Sequence, residues 1–268
     1  MLFTVDVGNS HTVSGVFHNG SFIANWRLQS TQDKTADELS IRYIALLSMA
    51  KIDPRQITGF IISSVVPLLE SSWIKFAQEH FIGLQNPPIA VTHQLNLGGL
   101  EVKIDTPSEA GADRLVNAVA AWERFKEAFI AVDFGTAITF DCISKNHEYL
   151  GGTIHPGIGI SLDALAARTA KLPRLDIDVT PENPIGSSTV KAIHSGMLYG
   201  FGGLVDRMIS LLAKELADDN EKVHTIATGG MAQLIMPYAK TLEHVDPQLT
   251  LTGLKQIYDL NATHETGN

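Results

Sequence analysis

Ala131-Val-Asp133-Phe-Gly135-Thr136-Ala-Ile-Thr139-Phe-Asp141 carries a pattern that this chain uses twice. The first use is Thr4-Val-Asp6-Val-Gly8-Asn9-Ser10-His11-Thr12-Val13. With Asp6 set on Asp133, Gly8 falls on Gly135, Ser10 on Ala137 and Thr12 on Thr139, without a gap. Alternating strand-like residues then lead to a second turn in each copy, at His18-Asn19-Gly20 and at Lys145-Asn146-His147. Each copy reads as a β-hairpin: a strand closes on Asp-x-Gly, a tight turn carries hydroxyl and amide groups, and a second strand returns.

The residue types of that turn suggest its chemistry. An aspartate at the end of a buried strand is costly unless it holds a cation or accepts from several donors. The glycine two residues on has no Cβ, so backbone N–H groups can come close to a bulky anion. Asn9, Ser10, Thr12 and Thr136 add side-chain donors. Carboxylate and donors at one point suit a magnesium–phosphate pair. A single Asp-x-Gly turn is also what an ordinary hairpin uses. Two copies, each after an apolar strand, point to a pair of turns that grip the phosphates of one nucleotide.

The composition narrows the class. A chain of 268 residues has room for two domains of about 130 residues or one larger one, each with a real core. No apolar run reaches the roughly 18 residues of a membrane span, and no basic–apolar leader precedes the first strand, so a cytoplasmic protein is expected. The single cysteine, Cys142, excludes an internal disulfide framework and reads as a small buried residue. A net charge of −9 argues against nucleic acid as the main partner. Anionic small molecules remain open, since a magnesium ion and local donors set the field at a site.

In chain order, strands are expected at 2–7, 12–17 and 22–28. A helix follows, opened by the capping box Thr35-Ala-Asp-Glu38. The apolar run Gly59–Val66 reads as a parallel strand covered on both faces, then a helix over 68–81 and a short strand near 88–91. The second half, taken to start at Gly111, has a helix over 112–125 and strands at 129–133, 138–144 and 148–150. Helices over 161–169 and 189–216, a strand at 223–227, the turn Thr228-Gly229-Gly230 and terminal helices complete it. The fold class is therefore α/β, with two related mixed-sheet domains, 1–110 and 111–268. Gly196-x-x-x-Gly200 with Gly202-Gly203 lies on a helical pattern and reads as close helix packing rather than a phosphate loop. Gly151-Gly152 and Pro156-Gly157-Ile-Gly159 are read as loop-shaping.

Gly111-Ala112-Asp113-Arg114 precedes an amphipathic helix. Alone, Asp113 reads as a dipole partner and Arg114 as a surface ion pair. Their place at the junction of the halves supports another role. A carboxylate there can take the proton of an acceptor hydroxyl, and the guanidinium can bind an anionic substrate.

The two-domain pattern, with a cleft between the halves, resembles the actin-like (ribonuclease H-like), sugar-kinase-like ATPase superfamily. The ordered set Asp6-Val-Gly-Asn-Ser, Gly111-Ala-Asp-Arg, Asp133-Phe-Gly-Thr-Ala-x-Thr-Phe-Asp141, Gly151-Gly-Thr-Ile-x-Pro-Gly157, Thr169-Ala-Lys-Leu-Pro173, Thr228-Gly-Gly and Leu249-Thr-Leu-x-Gly-Leu254 resembles type III pantothenate kinase along nearly the whole chain. The resemblance implies ATP-dependent phosphorylation of pantothenate, the first step of coenzyme A synthesis. It implies ATP contacts at Asp6, Val7, Gly8, Asn9, Ser10, His11, Thr12, Val13 and Thr136, with Asp6 also near Mg2+. It places pantothenate at Gly111, Ala112, Asp113, Arg114 and Thr189, with Asp113 as general base. It makes Asp133 a ligand of an activating monovalent cation, K+ or NH4+, and Thr228-Gly-Gly an adenosine-binding turn. It further implies a homodimer.

The chain departs from the family pattern at two places. Ile104 stands where an aromatic residue is usual, and Ser188 where an asparagine commonly precedes the substrate threonine; both bear on substrate contacts. Two other readings remain open: a kinase of another small hydroxylated acceptor on the same fold, and a non-catalytic accessory relative. The presence of Asp6, Asp113 and Asp133 together weighs against the second.

Overall fold

The computed structural model describes residues 1–262 apart from Gln32, Lys171, Arg174, 177–180, Glu182 and 218–220. Its contacts divide the chain into two units.

The first unit is built on β1 (Leu2–Val7), β2 (His11–His18), β3 (Ser21–Gln29), α1 (Ala36–Met49), β4 (Gly59–Ser64), α2 (Pro67–His80) and β5 (Ile89–Ala90). The two-residue β6 (Glu101–Val102) and the helix α3 (Ala112–Phe125) follow. The sheet order is β3-β2-β1-β4-β5. The first three strands form an antiparallel meander, and β4 and β5 run parallel to β1. Period-two alternation puts Phe3, Val5, Val7, Phe60 and Ile62 on one face, where they pack with Tyr43 and Leu47 of α1 and Trp73 and Phe76 of α2. Rings meet there at close range, Tyr43 to Trp73 at 4.5 Å and Phe3 to Phe81 at 5.2 Å, each large side chain contributing about 1.5–3 kcal/mol by burial. The capping box is present: the Glu38 amide donates to Thr35 Oγ1 (3.3 Å), and the Thr35 amide donates to Glu38 Oε2 (2.9 Å). Pro67 opens α2, where its missing N–H is not needed.

The second unit repeats the plan with β7 (Phe129–Phe134), β8 (Ala137–Ile143), β9 (Glu148–Pro156), α4 (Ile158–Arg168), α5 (Thr189–Leu216), β10 (His224–Thr228), α6 (Ala232–Ile235) and β11 (His244–Val245). Its strands lie in the order β11-β10-β7-β8-β9. Read from β9, this is the third-second-first-fourth-fifth order of the first unit. Ile130, Val132, Phe134, Ile138 and Phe140 form its core with Leu198, Phe201 and Val205 of α5. Cys142 is a buried member of that core.

The last helix, α7 (Leu249–Asn261), belongs to the first unit, which comprises residues 1–120 and the segment from Leu249 onward. The contact pattern thus differs from the division expected at Gly111. A Cβ on Gly59 would overlap Tyr258, one on Gly15 would lie 3.0 Å from Leu251 Cδ1, and one on Gly253 would overlap Val116. Glycine at these points lets α7 lie close on the sheet and lets α3 lie close on α7. Thr250 Oγ1 also donates to Asn117 Oδ1 (2.8 Å). A return of the chain after 128 intervening residues, 121–248, leaves no local mark in the sequence.

The duplication is real but not gapless. In the first hairpin Val7 faces Thr12 and the Gly8 amide donates to His11 O (3.0 Å); in the second, Phe134 faces Ile138 and the Gly135 amide donates to Ala137 O (3.0 Å). His11, not Ser10, is therefore the counterpart of Ala137, and Val13 that of Thr139. The first turn holds one residue more. Both copies also carry a bulge one turn further on, between Val16 and Phe17 and between Asp141 and Ile143.

Two further differences shape the second unit. β9 runs on through Gly151-Gly152 to Pro156, because a Cβ on Gly152 would overlap the Phe140 carbonyl and glycine keeps the strand against β8. α4 starts at Ile158, three residues before the expected Ser161, with Gly157 as its N-terminal cap. The strands β6 and β11 are too short to leave a pattern.

Candidate active site

In the first unit Asp6 is half-buried at the end of β1. Beyond it the backbone bends at Gly8, where a Cβ would press on His11 O at 3.0 Å. The bend is held from β3. Ser30 Oγ donates to Gly8 O (2.7 Å), the Ser30 amide donates to Ser10 O (2.9 Å), and the Ser30 and Thr12 hydroxyls are 2.9 Å apart. Ser30 thus ties together the turn that carries Gly8, Asn9 and Ser10, a role with no signal in the sequence pattern. Arg27 Nη2 donates to His11 Nδ1 (3.2 Å); burial, and then the Arg27 charge, hold the imidazole below its usual pKa. His11 therefore enters the turn as a neutral ring.

The same unit contains Gly111 to Arg114. Asp113 lies in the first turn of α3, where the helix dipole favours an anion. Its Oδ1 accepts from the Arg114 amide (2.9 Å). A Cβ on Gly111 would sit 2.6 Å from that oxygen, so glycine makes room for the carboxylate. The residue keeps some accessible surface while its carboxyl group is enclosed. Burial pushes the carboxyl pKa up, against the smaller opposing pull of the Arg114 amide and charge. A carboxylate in that condition is a better proton acceptor than an exposed one.

The second unit holds Asp133, Thr136 and Thr189. Asp133 pairs with Thr139 across the hairpin and with Thr228 of the parallel β10. Gly229 follows at φ +91, and a Cβ there would overlap Asp133 Oδ1 and approach Phe134 at 2.7 Å. Thr228-Gly-Gly thus closes directly on the second aspartate turn. Opposite, the Gly157 amide donates to Thr136 O (3.0 Å). Behind the turn Asp141 is 1% exposed, with Tyr149 Oη donating to Oδ1 (2.8 Å) and Thr139 Oγ1 to Oδ2 (3.2 Å).

Thr189 is exposed at the first position of α5, and Ser188 caps that helix, its Oγ accepting from the Lys191 amide (3.3 Å). Serine thus keeps the capping function an asparagine would have. Thr189 borders an open groove of about 480 Å³ lined by Leu165, Leu172, Ala192, Ile193 and Met197. In the motif Thr169–Pro173, Lys171 lies outside the described residues. His155 Nδ1 is 2.9 Å from Pro156 O and its ring is edge-on to Phe201, a structural setting. Of the glycines on α5, Gly202 packs tightly on Tyr238, whereas Gly196, Gly200 and Gly203 face open space; the packing expectation holds for one of the four.

Two α/β units with one strand order, each ending its first strand in Asp-x-Gly, define the class: an actin-like, sugar-kinase-like ATPase fold. A candidate 2-dehydro-3-deoxygalactonokinase of Sinorhizobium meliloti has the same fold (TM-score 0.56, 14% identity, 96% of this chain and 98% of that one). So does a candidate Baf-family transcriptional activator of Campylobacter jejuni (TM-score 0.55, 22% identity, 96% and 97%). The family model of type III pantothenate kinase matches residues 2–211. The type III pantothenate kinase of Desulfotalea psychrophila is 49% identical over 96% of this chain and 97% of its own length; that of Desulfatibacillum aliphaticivorans is 44% identical over 97% and 98%. The chain belongs to the type III pantothenate kinase family.

Proposed function

We propose that this chain transfers the terminal phosphoryl group of ATP to the terminal hydroxyl of pantothenate, giving ADP and phosphopantothenate, the first step of coenzyme A synthesis. Family membership supports the reaction, and one observation carries the assignment of its base. Asp113 is an enclosed carboxyl of raised pKa, at a helix N-terminus, in the unit that also carries the Asp6 turn.

In this reading Asp6 through Val13 receive the triphosphate, with backbone and side-chain donors around Gly8. Among the described residues no three or more His, Cys, Asp or Glu side chains cluster to cage a metal. Asp6 would offer one carboxylate to magnesium, an ion that keeps waters and takes phosphate oxygens beside one or two carboxylates. When bound, magnesium neutralises charge on the phosphates. Asp113 accepts the proton of the pantothenate hydroxyl as its oxygen bonds to phosphorus and the bond to ADP breaks. Gly111 and Ala112 shape that end of the site. Arg114 offers the anionic acceptor a guanidinium, and Thr189 a hydroxyl. Thr136 contacts the nucleotide. Asp133, beside the bare backbone of Gly229, offers oxygen to a monovalent cation, K+ or NH4+.

The proposal includes a homodimer, supported by the exposed strip of Gly196, Gly200 and Gly203 with exposed Tyr199 on α5. It places the enzyme in the cytoplasm; among the described residues no helix is long and apolar enough to cross a membrane. The test is release of ADP from ATP and Mg2+ on addition of pantothenate, with and without potassium. Turnover with another hydroxylated acceptor in place of pantothenate would reassign the substrate, and no turnover with any acceptor would make the chain an accessory relative.

A further inference from the structure

Beside each of the two aspartates the sheet sets a buried hydroxyl. Ser63 stands across from Asp6 in the parallel β1–β4 ladder, and Thr228 across from Asp133 in the β7–β10 ladder. Residues paired in this way project to the same face of a sheet. Ser63 therefore shares a face with Asp6, the one on which Leu251 and Tyr258 of α7 cover Gly15 and Gly59. Its neighbours in the strand differ. Ile62 points into the α1–α2 core, and Ser64 Oγ closes on its own backbone, donating to Val66 O (3.0 Å) and accepting from the Val66 amide (3.1 Å).

Ser63 is 0% exposed, and its hydroxyl has no hydrogen-bond partner. The buried hydroxyls of Ser14 and Tyr43 belong to the opposite face and have each other as partners, Ser14 pairing with core Val5 and Tyr43 lying on α1. A buried hydroxyl left unmatched destabilises a free fold. The Ser63 group is unmatched on the strand position paired with Asp6, at the turn proposed above to receive the nucleotide phosphates.

We propose that Ser63 is a positioning residue for the magnesium–nucleotide complex at the Asp6 turn, its hydroxyl accepting a hydrogen bond from a water on the metal. The ligand class is a hydrated divalent cation carrying a polyphosphate. This inference rests on the reading of Asp6 given above. Thr228 is the equivalent group of the second unit, so the duplicated chain places one hydroxyl beside each aspartate.

The test uses the full chain with Ser63→Ala and Ser63→Thr. Three quantities are measured: the melting temperature without ligand, the MgATP concentration that half-saturates thermal stabilisation, and the same titration with ATP in EDTA. In Ser63→Ala the ligand-free melting temperature holds or rises, because an orphaned group has been removed. Its half-saturating MgATP rises about three- to tenfold, the range for one lost hydrogen bond, while metal-free ATP binding is unchanged. Ser63→Thr keeps the hydroxyl and stays within about twofold of wild type. A lower ligand-free melting temperature in Ser63→Ala would show a structural partner and overturn the proposal. So would an unchanged MgATP titration, a threonine variant as weak as alanine, or a wild-type chain that MgATP does not stabilise. A wild type stabilised by MgATP that transfers nothing to pantothenate would overturn the acceptor assignment and leave Ser63 to be judged by the binding arm.

Discussion

Gly229 lies against Asp133 so closely that any side chain on it would overlap the Asp133 carboxylate, and its φ of +91 is one that L-residues rarely adopt. Two constraints on one residue make the second turn sensitive to a single methyl group. Gly229→Ala is expected to destabilise the fold by at least about 1–2 kcal/mol from the backbone alone, and to weaken activation by potassium. A thermal melt and a potassium titration of turnover check both effects; an unchanged titration would separate Asp133 from the cation.

Asp113→Asn separates chemistry from binding. Turnover is expected to fall by at least about tenfold with the KM for ATP nearly unchanged. The pH dependence follows from the raised carboxyl pKa. A folded pKa above the unfolded one means that the native state loses stability as pH rises from the ordinary aspartate range through the folded value. Asparagine removes that loss. The variant should therefore melt no lower than wild type at neutral pH, and any advantage should fade on acidification as the wild-type carboxyl protonates. Melts of both proteins across acid to neutral pH, beside steady-state kinetics, test the pair of expectations.

Ser30 holds the first turn through Gly8 O, Ser10 O and the Thr12 hydroxyl. Ser30→Ala should cost about 0.5–1.5 kcal/mol per side-chain bond lost and raise the KM for ATP more than it lowers kcat. An effect on kcat alone would mean that the turn does not bind nucleotide.

Tyr149→Phe removes the O–H that donates to buried Asp141 at 2.8 Å. Leaving a buried acceptor without its donor costs about 1–3 kcal/mol, and denaturant melts should show a loss of that order. A variant as stable as wild type would mean that Asp141 does not depend on this donor.

The glycines of α5 should split. Gly202→Ala meets the Tyr238 carbonyl and should lower the melting temperature, whereas Gly200→Ala meets nothing within its own subunit and should disturb only the proposed dimer. Gly196→Arg tests the proposed dimer: its sedimentation should shift toward monomer, and an unmoved boundary would take α5 out of the interface.

Much of the candidate site is written in local chemistry. Asp6, Gly8, Asp133, Gly135, and Gly111 through Arg114 are legible because a carboxylate, a glycine and donors must sit within a few residues to form such a turn. Capping at Thr35 and Glu38, and the bounds of α3 and α5, are likewise local matters of spacing and propensity. Ser30 was not legible, since its partners Gly8, Ser10 and Thr12 lie at a distance in the chain and meet it only through the β2–β3 pairing. Nor was the extra residue in the first turn, because a gapless alignment keeps both glycines matched and only the ladder register reveals the shift.

The sequence by itself determined that two like halves each end a buried strand in an acidic, glycine-containing bend, because strand alternation and turn chemistry are short-range properties. Tertiary structure alone decided that α7 returns to the first sheet, that Gly229 closes on Asp133, and that Ser63 stands buried and unmatched beside Asp6. Those facts depend on which strands and helices become neighbours, and neighbours distant in the chain are chosen by the burial of whole faces rather than by any one segment.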